Sequence, residues 1–326
     1  MQQLLISGSP HVHSSDSVSR RMWNVVIALL PAVAAGIWVF GSSSVICLAV
    51  SVLACLLSEW VIGSLIMKRP FSLLNGSAMI TGILLAMNVP ASLPWWMVAI
   101  GAVVAIGIGK MSFGGLGTNI WNPALVGRVF LLLSFPAAMT TWTVGVGSGM
   151  TGADADSGAT ILGQLKMTAH HVDPASVDWL GVSLGQINGS WGEVGSIAIL
   201  IGFAYLLLTR TITWHIPVSM LLSAALLAWC AGANPLVELL SGGMMLGAVF
   251  MATDYVTSPM THRGQLIYGV LIGVITMVIR LWGAYPEGVS FAILLGNSCT
   301  PLLNKYCRPR RFGVQGRRKA GKEVRP

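Results

Sequence analysis

Apolar runs recur along the chain between short polar turns, and a single long polar interval divides them into two groups. A helix needs roughly 17–25 apolar residues to cross a bilayer, and runs of about that size give ten candidate segments. The first five lie at about 22–42, 44–67, 76–90, 94–110 and 123–142. The second five lie at about 194–209, 212–232, 238–253, 265–283 and 287–304. Segments three and eight are short and glycine-rich, the pattern of a broken or partly crossing helix. The pattern predicts an all-α polytopic membrane protein. An N-terminal stretch (1–21) precedes five helices (22–142), a polar loop (143–193), five more helices (194–304) and a tail (305–326).

Composition agrees: 54% of the 326 residues are hydrophobic, only 9% are charged, and mean hydropathy is +0.75. That is too little charge to cover a water-facing surface. The net charge of +8 is uneven, with nine of the 19 Lys and Arg between Lys305 and Arg325. Such a tail reads as a cytoplasmic end touching anionic lipid rather than as a nucleic-acid site. Arg20 and Arg21, Lys68 and Arg69, Lys110, Arg210, His262 and Arg263, and the tail all fall on one side of a ten-span topology. The positive-inside rule makes that side the cytoplasm, with both termini there. The loop 143–193 is then extracytoplasmic, and it holds Asp154, Asp156, Asp173, Asp178 and Glu193 against Lys166 alone. The N-terminus lacks the pattern of a cleaved signal peptide, so the first span is expected to direct insertion. None of the five cysteines is paired at C-x-x-C spacing, which opposes a local zinc or iron–sulfur site.

The two groups of segments resemble each other. "LLNGSAMITGILLAMN" at 73–88 aligns with "LLSGGMMLGAVFMATD" at 239–254, and each precedes an apolar helix ending in a base, Lys110 or Arg280. Copies five spans apart enter the membrane from opposite sides, the arrangement of an inverted repeat whose interface holds the ligand site. "NIWNPAL" at 119–125 and "NSCTPLL" at 297–303 look alike but sit at different depths in their spans.

Ionisable residues within spans suggest function. Glu59 and Arg280 stand near span ends, where snorkelling to the interface is the simpler expectation. Arg128 and Asp254 adjoin Gly- or Pro-marked breaks and are candidates for an ion path or for pairing with a neighbouring subunit. In "KMSFGGLGTNIWNPALVGR" at 110–128, Asn119 and Asn122 could bond a planar heterocycle or close their own turn. The histidine pairs His11/His13 and His170/His171 lack further ligands at metal spacing. No H-E-x-x-H, G-x-S-x-G or Walker A pattern occurs, so hydrolytic and nucleotide-loop chemistry have no foothold.

In the polar loop, "DADSGAT" reads on composition alone as an exposed turn. Asp154, Ser157, Gly158, Ala159 and Thr160 nevertheless match D-x-x-[ST]-G-A-[ST], and so resemble the acceptor motif of ApbE-type flavin transferases. The resemblance implies FMN esterified through its phosphate to the Thr160 hydroxyl, on the outer side where such transferases work. "TILGQLK" lacks the proline expected after S-G-A-T.

Residues 5–305, with "SPHVH", "FGGLGTNIWNPA", the S-G-A-T acceptor and "TDYVTSPMTHRG", are similar to the RnfD-type membrane proteins of Rnf/Rsx ion-translocating oxidoreductase complexes. That family is related to the NqrB-type proteins of the Na+-pumping NADH:quinone reductase. The resemblance implies a urea-transporter-like bundle of two inverted five-helix repeats in the bacterial inner membrane. It implies covalent FMN at Thr160 and a second, non-covalent riboflavin, for which Asn119 and Asn122 are the candidate contacts. It further implies electron transfer between ferredoxin and NAD coupled to Na+ or H+ movement, with the other Rnf/Rsx subunits (A, B, C, E and G types) as partners. Two other classes fit the repeat: a urea-transporter-like channel with no redox role, and a scaffold of the complex. A channel has no use for Asp154–Thr160.

Overall fold

The computed structural model describes residues 16–68, 75–142, 162–163, 190–192, 195–283, 285 and 287–309, and among these the chain is helical with no strand. Helix α1 (Val18–Phe40) starts where the Ser17 hydroxyl accepts from the Arg20 amide at 3.2 Å, satisfying one of the unpaired N–H groups of the first turn. It stops at Gly41, whose φ of +67° a side chain would resist. Helix α2 (Ser42–Val61) continues through a π turn, Ile62–Ile66. Then come α3 (Ser77–Met87), α4 (Trp95–Gly107), α5 (Pro123–Ser134) and α6 (Pro136–Thr140). The second group comprises α7 (Ser196–Leu208), α8 (His215–Cys230) and α9 (Pro235–Leu240). It continues with α10 (Met244–Leu246, running into a π turn at Gly247–Met251), α11 (His262–Trp282) and α12 (Val289–Tyr306). Helices α5 and α9 open alike. An asparagine side chain, Asn122 or Asn234, accepts the amide two residues on, and a proline takes the first helical position, where no N–H is needed.

Each predicted segment contains helix, but among the described residues four stretches are long and apolar enough to cross a membrane on their own: Val18–Phe40, Ser42–Ile66, Trp95–Phe113 and His262–Trp282. Segments three and eight are indeed short: an 11-residue helix, and a single α turn passing into a π turn.

Small residues let the helices meet closely. On α11, Gly269 and Gly273 face Ser219 and Ser223 of α8, and a Cβ on either glycine would overlap the serine hydroxyl opposite. Two small-x-x-x-small faces thus meet, the close packing that substitutes for a hydrophobic driving force in lipid. Gly82 of α3 lies against α2, where its Cβ would stand 2.7 Å from the Val52 Cα, and the Ser51 hydroxyl donates to the Gly82 carbonyl at 2.8 Å. The first helices of the two groups, α1 and α7, also pack together, Gly202 over the Ala28 carbonyl.

Two short described pieces of the 143–193 interval enter the bundle. Trp191 is fully buried against Gly36 of α1, and the Gly192 amide donates to the Met87 carbonyl at the end of α3, 2.9 Å away. Leu162 is buried against Gly242, between α9 and α10. Outside, α1 exposes Trp23 and Trp38, and α8 with its leading residue exposes Trp214 and Trp229. Each pair is fifteen residues apart, about 22 Å at the helical rise. Trp95 and Trp282 are also exposed, at the starts or ends of their helices. Rings at both ends of the spans are the aromatic belts of a bilayer interface.

Candidate functional site

A cleft opens at the end of the bundle where α1 begins and α7 ends. Its walls combine Met22, Ile80, Leu84, Leu206 and Phe250 with Thr81, Lys110, Asn119, Asn122, Thr253 and Asp254, enclosing about 710 Å³ of space counting the open mouth. Three of the sequence candidates, Asn119, Asn122 and Asp254, therefore come together. They do so because the α4–α5 connection, with positive-φ Gly114, Gly115 and Gly117, folds back into the bundle against the π turn Gly247–Met251. Asn122 is committed on both sides of its amide. Its oxygen accepts from Ala124 N at 3.1 Å, and its nitrogen donates to the Met251 carbonyl at 3.2 Å. Asn119 donates to the Trp121 carbonyl at 3.1 Å. The amides thus shape the turn and also line the cleft. Asp254 follows the π turn, and its carboxylate accepts from the Thr257 hydroxyl at 3.3 Å.

Lys110 enters the same cleft already neutralised. Its ammonium lies 2.8 Å from both Glu59 carboxylate oxygens and 2.6 Å from the Ser77 hydroxyl, with lysine and glutamate both buried. At the mouth, the Tyr255 hydroxyl donates to the Thr211 carbonyl, and Arg21 donates to the Arg210 carbonyl at 2.5 Å while pairing with Asp16. The hydrogen bond from Arg21 holds the Asp16 carboxyl below its ordinary range. Partial burial raises the Tyr255 phenol above its own, with the Arg21 charge acting in the opposite sense.

Arg128 is elsewhere. It is buried where α5 meets the start of α12, donating from Nε to the Asn88 carbonyl at 3.0 Å and bonding Ser290 and Glu287 through its other nitrogens. Its ion pair is within the chain. The expectation that Glu59 and Arg280 snorkel is corrected. Glu59 turns inward to Lys110, and Arg280 is 1% exposed, 3.1 Å from the Glu238 carboxylate. Each finds an opposite charge and hydrogen bonds inside, which outweighs reaching for water. Glu238, Glu287, Ser77 and Ser290 do not stand out in the sequence. The matched bases Lys110 and Arg280 were the available signal, since each buried base requires an acid.

Among the described residues, no cluster of three His, Cys, Asp or Glu side chains could hold a metal ion. Asp154, Ser157, Gly158, Ala159 and Thr160 lie outside the described residues; Leu162, two positions on, is the nearest described one.

Helices with lipid-type packing, buried ion pairs near helix ends and a polar cleft between broken elements define a polytopic helical membrane protein. Comparison of the sequence makes the assignment specific: a model of the NQR2, RnfD, RnfE family matches residues 5–313, and the chain belongs to that family. Three relatives are D-type components of ion-translocating oxidoreductase complexes. The chain is 43% identical to that of the Na(+)-translocating ferredoxin:NAD(+) oxidoreductase complex of Acetobacterium woodii, over 98% of both chains. It is 41% identical to that of the proton-translocating ferredoxin:NAD(+) oxidoreductase complex of Clostridium ljungdahlii, over 95% of this chain and 96% of the other. It is 39% identical to that of the ion-translocating oxidoreductase complex of Erwinia tasmaniensis, over 94% and 98%.

Proposed function

We propose that this chain is the flavin-bearing membrane subunit of an Rnf-type complex, in which electron transfer between ferredoxin and NAD drives translocation of Na+ or H+. The observation that carries the reading is the 43% identity to the D-type component of a ferredoxin:NAD(+) oxidoreductase complex over 98% of both chains. Its partners are then the other Rnf/Rsx subunits (A, B, C, E and G types), with a flavin transferase of the ApbE type for maturation. FMN is held as a phosphoester on Thr160, in the segment led by Asp154 and carrying Ser157, Gly158 and Ala159. Riboflavin is the second flavin, and the cleft suits it. The walls are apolar with a few amides and hydroxyls, the usual make-up of a small-molecule site. Lys110 is already spent on Glu59, and Asp254 is acidic, so the lining offers a phosphate poor terms and a neutral flavin good ones. Asn119, Asn122 and Thr81 would hold it. A bound flavin supplies one- and two-electron redox chemistry, while the chain positions it and tunes its surroundings.

The ten segments form two inverted five-helix halves in this reading, with both termini cytoplasmic and residues 143–193 outside. Supporting this, the base closing the fourth span of each half meets a buried acid: Lys110 with Glu59 of the second span, and Arg280 with Glu238 at the start of the third. Asp254 in the cleft and Arg128 between the halves are the residues set along an ion path. A solute channel of the urea-transporter type is disfavoured, because the similar chains are named as components of ion-translocating oxidoreductase complexes and a channel has no use for Asp154–Thr160.

The test is in-gel fluorescence of the denatured protein after co-expression with the transferase. A flavin band in the wild type, absent in Thr160→Ala, is expected. A dark wild-type band would sink the covalent-flavin assignment.

A further inference from the structure

The aligned stretches 73–88 and 239–254 pair Met87 with Thr253 and Asn88 with Asp254. The cleft lies where α1 begins, α7 ends and the second of these stretches ends, lined there by Met22, Leu206, Thr253 and Asp254. Exchanging the two halves gives the address of a counterpart: the end of α1, the start of α7 and the end of α3. Residues 190–192 fill that place. Trp191 is fully buried, and a Cβ on Gly36, in the last turns of α1, would stand 2.5 Å from its Cε3. The Gly192 amide donates to the Met87 carbonyl at 2.9 Å, and a Cβ on Gly192 would stand 2.3 Å from the same oxygen. Gly195, which leads into α7, has φ +80°, and a Cβ there would lie 3.3 Å from that of Ala35.

The indole is seated by shape rather than by hydrogen bonds. Its Nε1–H and the nearby-in-sequence Ser196 hydroxyl are both buried and find no partner among the described residues, although a buried indole N–H ordinarily finds one. The counterpart is neutral where the cleft is acidic. Asn88 stands in place of Asp254, and its amide is already spent on the Leu84 carbonyl at 2.6 Å. Glycine and apolar walls with spare polar atoms suit a flat, uncharged aromatic group. We infer that Trp191 is the built-in occupant of a second aromatic site, the outward counterpart of the cleft, so that the bundle keeps its cytoplasmic cleft as the open one. The inference rests on the reading that the two halves are inverted repeats. It requires that the seat, emptied of its indole, accept a small free aromatic molecule, as apolar cavities cut into protein cores do.

The test uses the full-length chain. In detergent, Trp191→Ala is expected to melt below the wild type, and millimolar indole to raise its midpoint by several degrees. Indole should leave the wild type unmoved, and also Trp191→Ala with Gly36→Leu, in which the leucine refills the seat. No indole shift in Trp191→Ala, or an equal shift in all three, would overturn the inference. Trp191→Phe keeps a ring in place and so keeps a second measurement available if Trp191→Ala does not fold. The difference between wild-type and Trp191→Phe emission isolates this indole, and it is expected to be blue-shifted and to resist acrylamide. Red-shifted, readily quenched difference emission would also overturn the seat. Sidedness is read in proteoliposomes of a chain lacking Cys230, Cys299 and Cys307, with the side of the tail established by proteolysis. With Gly36→Cys added to Trp191→Ala, a membrane-impermeant thiol reagent is expected to react from the side opposite the tail, and indole to slow that reaction several-fold. Reaction from the tail side alone would refute the outward placement, and with it the inverted-repeat reading, while an indole shift in detergent would still stand.

Discussion

Replacing Glu59 by Gln leaves the Lys110 ammonium buried with only the Ser77 hydroxyl and a neutral amide beside it. Breaking a buried pair from one side costs about 3–5 kcal/mol, whereas replacing both partners by apolar residues of similar size is close to neutral. Glu59→Gln is therefore expected to lower unfolding stability in detergent by about that amount, and Glu59→Leu with Lys110→Met to recover most of it. A double variant as unstable as the single would mean the pair contributes beyond charge compensation. The same residues mark the limit of what the sequence reveals. A charge near a span end looks identical whether it turns to water or to a partner. The acid that Arg280 needs is Glu238, 42 positions away, and no local pattern joins them. Asn119, Asn122 and Asp254 stood out because irregular Gly- and Pro-marked backbone inside a bilayer has to line a cavity or be buried in protein, and the three do line one cleft.

Helix positions were legible to within a few residues because lipid demands a continuous apolar run. Which face of each helix meets a neighbour was not, since lipid-facing and buried sides are both apolar. Leu222 and Leu226 of α8 are exposed while Met220 and Ala224 of the same helix are buried, with no polar stripe to separate them. The face is written instead in small residues, Gly269 and Gly273 against Ser219 and Ser223. Gly273→Val would drive two methyl groups into the Met220 carbonyl and the Ser223 hydroxyl, an overpacking cost of about 1–3 kcal/mol or more. A lower thermal midpoint is expected for Gly273→Val, while Leu222→Val on the lipid side should stay within experimental error. Equal midpoints would place the α8–α11 contact elsewhere.

At the scale of the whole molecule, the ion pairs, the cleft and the tryptophan rings order the bundle from end to end. Trp23 and Trp38 stand towards opposite ends of α1, and Trp214 and Trp229 at opposite ends of α8, all of them exposed. In proteoliposomes, lipids brominated near the headgroup are expected to quench this emission more strongly than lipids brominated at the chain ends. The reverse order would place the rings in the hydrocarbon and dismiss the belts. Membership of the family was legible in sequence partly because FGGLGTNIWNPA and TDYVTSPMTHRG lie in turns and broken elements between helices. The depth relations were not, because they depend on how far each short helix penetrates.

The fifteen-residue spacing within each tryptophan pair has a consequence for the surrounding lipid. Rings about 22 Å apart are closer than the ~30 Å hydrocarbon core of a typical bilayer, so acyl chains beside α1 and α8 must shorten or tilt to meet them. Such mismatch costs a fraction of a kcal/mol per Å, which favours a thinned annulus and short-chain neighbours. A thinner dielectric under the same transmembrane voltage carries a steeper electric field. A charge crossing beside this subunit would then gain its full electrical work over a shorter path than elsewhere in the membrane.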